Sequence, residues 1–138
     1  MNAFVGDLQY ARSAANKHGL SVTVCASTDT AAASPGCSGA APWDTGWIVF
    51  VDAGGDGGVD AGIDQLLRVH GPLGSDDSMT GNSNVQYRIT FNRFGMFADI
   101  SDGVGTVTLN TPDNVIALRR CVILSTTGRL RVDSRGGC

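Results

Sequence analysis

The chain has 138 residues, the size of one ordinary domain, with 42% hydrophobic against 17% charged residues and a net charge of −3. That balance excludes a disordered tail or a coiled coil, and no run approaches the apolar length of a membrane-spanning helix, so a soluble domain is expected. Asn2-Ala3-Phe4-Val5-Gly6-Asp7 has neither the basic region nor the apolar block of a secretion signal, and two His and four Cys leave little material for a metal enzyme.

Residues 3–18 read as a helix, because Phe4, Leu8, Ala11 and Ala15 recur on one face while Asp7, Arg12 and Asn16 fall elsewhere. Lys17 and His18 occupy its last turn, and Gly19 stands where a left-handed residue stops a helix. The helix begins almost at residue 1, the abrupt start that a cut within a longer helix leaves. From Leu20 the period becomes two. Leu20, Val22 and Val24 alternate with Ser21, Thr23 and Cys25, predicting a strand with one buried face. A loop of Ala, Ser, Pro and Gly runs to Ala41. Trp43 and Trp47 flank a turn, where a core or strand-edge role outweighs a binding platform. Gly46–Val51 is a short, continuous apolar run of the central-strand kind. Ile63–Val69, Val85–Phe91 and Gly105–Leu109 follow as strands, and Val115–Leu124 with Arg129–Val132 make a hairpin joined at Ser125-Thr126-Thr127-Gly128. The chain contains no Glu, a residue that favours helix, in agreement with a content of strands and turns. One helix and six or seven short strands make the fold class α+β, a single domain over 1–138 with the helix packed on antiparallel sheet.

Four cysteines allow three pairings. Cys25 with Cys37 and Cys121 with Cys138 are favoured, since each closes a loop that otherwise lacks anchoring. Closure of the first loop stabilises by about 3 kcal/mol in the chain-entropy model. Zinc is the competing reading, but the close Cys pairs of zinc clusters do not occur. His18 and His70 lie at a helix end and a strand end, outside any motif that would activate a nucleophilic Cys. Disulfides imply an oxidising compartment, the periplasm or the cell exterior. Asp52, Asp56, Asp60 and Asp64 invite a calcium reading, but their spacing fits neither the EF-hand nor the nonapeptide repeat, and a solvated turn is the better reading. No Gly-Lys-Ser/Thr is present for a phosphate loop. No metal, cofactor or catalytic set is therefore expected.

The C-terminal hairpin carries the charge signal. Residues 1–114 hold five basic and twelve acidic residues, whereas 115–138 hold Arg119, Arg120, Arg129, Arg131 and Arg135 against Asp133 alone. Such asymmetry suggests a polyanion-facing end on an acidic body. Strand period puts Arg129 and Arg131 on one face about 7 Å apart, with Leu130 and Val132 anchoring the other. Guanidinium groups suit bidentate phosphate contact, and Gly128 shapes the turn and exposes backbone N–H groups beside them. Arg135 follows in the tail, and Arg119 and Arg120 lie on the partner strand. The alternative is an ordinary solvated strand, neutralised by the Asp-rich loops.

Asp7–Ala15 (DLQYARSAA) resembles the DLQxARSEA segment of the FimT/GspH pseudopilin family. The likeness continues through Val22–Cys25, the specific stretch Trp43–Asp52 (WDTGWIVFVD), Ile89–Asn92 with Gly95, and the ending Thr127-Gly128-Arg129-Leu130-Arg131. It covers nearly the whole chain, and the G-R-x-R ending points to the FimT-like minor pilins of type IV pili. The resemblance implies a prepilin anchored in the inner membrane by an N-terminal hydrophobic helix. Its periplasmic domain later joins an extracellular pilus among major and minor pilins. It also implies non-sequence-specific binding of extracellular DNA during natural transformation. Carried onto this chain, the binding residues are Arg129 and Arg131, with Gly128 shaping the turn; Arg135, Arg119 and Arg120 are added from charge. Three to five such contacts make log K fall against log salt with a slope of about −3 to −4.5. The second reading is a structural minor pseudopilin that primes a type IV pilus or type II secretion pseudopilus, its arginines binding the Asp52–Asp64 loop of a neighbour. The chain departs from the family at Ala14, where an acidic residue is usual, and this is expected to be a helix-surface change. Neither reading is enzymatic.

Overall fold

The computed structural model describes residues 2–40, 42–53, 64–74, 76–98 and 104–134. Helix α1 (Asn2–His18) precedes β1 (Val22–Ala26), β2 (Trp47–Val51), β3 (Gln65–His70), β4 (Ser78–Gly81), β5 (Arg88–Phe91), β6 (Val104–Asn110), β7 (Arg120–Ser125) and β8 (Leu130–Ser134). Single 3-10 turns occupy Trp43–Thr45 and Ile116–Leu118. These strands pair antiparallel in two four-stranded sheets, ordered β3-β2-β1-β5 and β4-β6-β7-β8. The α+β class expected from the sequence is the one observed.

The helix buries the face that its spacing predicts. Phe4, Leu8, Ala11 and Ala15 are fully buried, and full burial of Phe4 or Leu8 contributes about 1.5–3 kcal/mol each. Gly19 N–H donates to the Ala15 carbonyl at 3.0 Å, and its φ of +66° ends the helix without a Cβ penalty. Ala14 corrects the surface reading: it is only 6% exposed, because the buried stripe is one position wider than the apolar spacing indicated. An acidic side chain there would lose hydration.

A single hydrophobic cluster joins α1, the inner faces of β1, β2 and β5, and Met79, Val107, Val122 and Leu124 of the second sheet. Both tryptophans belong to it. Phe4 meets Trp43 and Trp47 edge-on at 5.0 and 5.1 Å, and the Trp43 indole N–H donates to the Val85 carbonyl at 2.9 Å. β1 is buried on both faces, not one. Val22, Val24 and Ala26 face the helix, while Cys25 packs with Ile48 and Phe50 beneath Cys37. The Cys25–Cys37 disulfide and a hydrogen bond from Ser38 N–H to the Ala26 carbonyl, 2.9 Å, hold that cover in place. Leu20, assigned to the buried side, lies before the strand and is exposed.

Other boundaries moved for local reasons. β4 escaped notice because Met79 is its only large apolar residue and no alternation is visible. β5 begins at Arg88, since the chain turns through Asn82–Val85 with Val85 N–H donating to the Asn82 carbonyl at 3.0 Å. Val115 and, on the 3-10 turn that follows it, Ile116 and Leu118 are exposed and are no part of β7. The expected Cys121–Cys138 pair ends on Cys138, outside the described residues. Asp56, Asp60 and Ile63 also lie outside them.

Candidate functional site

β7 and β8 are joined by a tight loop. Gly128 N–H donates to the Ser125 carbonyl and Ser125 N–H to the Arg129 carbonyl, both at 3.0 Å, with Gly128 at φ +87°. A left-handed residue closing a three-residue loop matches the twist of the flanking strands. The register sets Leu124 opposite Leu130, Ile123 opposite Arg131 and Cys121 opposite Asp133. Leu124 and Val122 face the core, so alternation sends Arg129, Arg131 and Asp133 to the outer face of the sheet. There Arg129 and Arg131 rim a shallow groove of about 230 Å³ with Val104, Ile123 and Ser125. Arg131 Nη2 lies 3.3 Å from Asp133 Oδ2, and its side chain is 62% exposed, which makes this a weak, salt-sensitive pair. Val132 does not anchor the strand as expected. It is half exposed because β8 is an edge strand, and Leu130 beside the turn is the residue that packs on the core.

Arg119 and Arg120 stand apart from this pair. Arg120 is opposite Ser134, four residues along β7 from Leu124, or roughly 13 Å by strand rise. Its Nη1 donates to the Arg119 carbonyl at 2.8 Å, and Arg119 Nε donates to Asn110 Oδ1 at 2.7 Å. Arg135 lies outside the described residues.

The structure adds residues that sequence reading passed over. The hairpin loop rests on the turn Asn92–Gly95: the space for a Cβ on Gly128 is occupied by the Gly95 carbonyl, whose carbon is 3.1 Å away. Arg12 Nε, from α1, lies 3.4 Å from that same point and 3.1 Å from the equivalent point on Gly95. Arg12, Arg93 and Arg129 thus gather around two touching turns. Among the described residues no carboxylate is within ion-pairing distance of these three. Arg12 and Gly95 both sit in the stretches that carried the family likeness, but a linear reading has no signal that the two turns meet.

A second charged cluster fastens the helix. The Trp47 indole N–H donates to Asp7 Oδ2 at 2.9 Å and Arg68 Nη1 donates to Oδ1 at 3.1 Å, in a carboxylate that is largely buried. A bulge between Val49 and Phe50 in the β2–β3 register leaves Arg68 opposite Val49, on the helix side, where its guanidinium lies 3.7 Å from the Tyr10 ring centroid. His70 stacks flat on Trp47 at 4.0 Å. At the disulfide loop, the Ser27 hydroxyl and then the Gly36 N–H hold the Asp29 carboxyl below the ordinary aspartate value. Among the described residues no group of His, Cys and Asp side chains is arranged to hold a metal ion, and none of their helices is long and apolar enough to cross a membrane.

Comparison with known proteins agrees with this architecture. The family described as Type II transport protein GspH matches residues 1–128, which places Arg129 and Arg131 just beyond the matched region. No curated protein matches the chain. Two crystal structures of the type IV minor pilin FimU from Pseudomonas aeruginosa, in space groups P21 and P65, superpose with a TM-score of 0.64 at 21% identity. They cover 94% of this chain and 82% and 86% of the respective FimU chains. With its N-terminal helix on antiparallel sheets and a family match over most of its length, the chain belongs to the GspH family and has the fold of a minor pilin.

Proposed function

We propose that this protein is a minor type IV pilin that binds extracellular DNA through its phosphate backbone and supports DNA uptake in natural transformation. One observation carries the reading. Arg129 and Arg131 project side by side from the outer face of an edge hairpin, and the loop between its strands is braced against a second turn. Charge-assisted contacts of this kind position a nucleic acid without reading its sequence. Arg119 and Arg120 lie at the other end of the hairpin, so the reading rests on two or three contacts near its loop, from Arg129, Arg131 and Arg12. The slope of log K against log salt is then about −2 to −3 for duplex DNA. Affinity of one domain is weak, micromolar or lower, and multivalent display on a pilus compensates.

Fluorescence anisotropy against a labelled duplex at low salt tests this directly. Arg129→Ala/Arg131→Ala should abolish measurable binding while leaving the melting temperature within a degree or two, since both side chains are exposed. Unchanged affinity would move the arginines to a subunit contact. Exposed Val115, Ile116 and Leu118, at the end of the hairpin away from the loop, favour a concurrent role in assembly with neighbouring pilins.

A further inference from the structure

We infer that Phe94, on the turn that supports the arginine hairpin, is a base-stacking platform that gives this site a preference for single-stranded over duplex DNA. The inference rests on the nucleic-acid reading above and names the substrate class of the same site. Phe94 is 68% exposed, more than any other large hydrophobic residue among those described. An aromatic ring exposed on a turn offers its π face to a partner.

The backbone of the turn that carries the ring is fixed. Asn92 Oδ1 accepts hydrogen bonds from Phe94 N–H at 3.0 Å and Met96 N–H at 3.1 Å, Gly95 N–H donates to the Asn92 carbonyl at 2.9 Å, and Asn92 N–H donates to the Met96 carbonyl at 2.8 Å. The Arg93 guanidinium carbon lies 4.9 Å from the ring centroid. A turn fixed in this way lowers the entropy cost of presenting the ring to a partner.

Location decides the partner. Gly95 abuts Gly128, so Phe94 and Arg129 each lie one residue from the contact between the two turns, and Arg12 reaches across both. Arg93 lies against an accessible ring while Arg12 and Arg129 stand at the adjoining turns, none of the three with a carboxylate partner among the described residues, an arrangement complementary to a polyanion that also carries planar faces. An open groove of about 330 Å³ beside Phe94, bordered by Leu20 and Arg93, leaves room at the ring. In a duplex the base faces are already stacked on one another. An unpaired strand offers them to Phe94 while its phosphates meet the arginines.

The test compares binding of a labelled oligothymidylate and a duplex of the same length at low salt. Phe94→Ala should weaken single-strand binding by about fivefold or more, the range for loss of one base–aromatic stack, and leave duplex binding within about twofold. Phe94→Trp should retain single-strand binding, and its added indole emission should be quenched by the oligonucleotide, a signal that buried Trp43 and Trp47 do not give. Phe94→Ala that binds both forms as the wild type does, or that loses both equally, overturns the inference. If Arg129→Ala/Arg131→Ala loses both forms while Phe94→Ala changes nothing, stacking alone fails. If the double variant binds both forms as well as the wild type, the phosphate reading fails with it.

Discussion

Gly128→Ala probes the contact on which the site is built. At φ +87° an alanine carries the left-handed penalty of about 1–2 kcal/mol. Its methyl also enters the space of the Gly95 carbonyl, part of a hydrogen-bonded turn, so relief requires moving one turn off the other. Overpacking of this kind costs about 1–3 kcal/mol, for a total of roughly 2–5 kcal/mol. Gly19→Ala is the internal reference, because Gly19 has φ +66° and no atom within 4 Å of its Cβ position. The difference between the two variants isolates the turn–turn contact. Tryptophan emission during thermal unfolding reports it, since Trp43 and Trp47 are buried. With about 3–5 °C per kcal/mol for a domain of this size, Gly128→Ala should melt roughly 3–15 °C below Gly19→Ala. Equal melting temperatures would refute the contact and detach Arg12 and Phe94 from the arginine hairpin.

Asp7→Ala leaves the Trp47 indole N–H without its acceptor, at a cost of about 1–3 kcal/mol, whereas Asp7→Asn keeps a carbonyl oxygen in place and should lose about half as much. Urea midpoints that fall equally for both would show that the indole hydrogen bond is not what matters. Asp29 is depressed by Ser27 and Gly36, so its contribution is present above the ordinary aspartate range and is lost as pH falls through the lowered value. Ser27→Ala removes the largest cause, and the Asp29 carboxyl followed by NMR should titrate closer to an ordinary aspartate; an unmoved titration rejects the role of the hydroxyl. Asp133→Asn frees Arg131 from a weak ion pair and should raise duplex affinity by up to about fivefold at low salt. A fall in affinity would mean that Asp133 instead orients the guanidinium.

How much of the site was legible follows from the range of its interactions. Arg129 and Arg131 sharing a face required only the two-residue period of a strand, and Gly128 at a positive φ required only a loop too tight for other residues. The buried stripe of α1 was legible for the same reason, since a 3.6-residue period is a local property. Val132 was misjudged because alternation does not say that a strand lies at a sheet edge, where the partner that would bury its side chain is missing. The role of Asp7 was not legible because its partners, Trp47 and Arg68, arrive from other strands, the latter through a bulge.

The α+β class, the helix and its core face, the family, and the concentration of arginine at the C-terminal end could all be read from the linear chain. These depend on residues close together in the chain, where period and turn chemistry act directly. Which arginines share one end of the hairpin depended on long-range packing. It sent Arg120 to the far end of the hairpin, added Arg12 from the helix, and set the exposed Phe94 beside the loop of Gly128. Those placements follow from long-range strand register and from two glycine turns packing backbone against backbone, a contact that exists only once both sheets have closed around their common core.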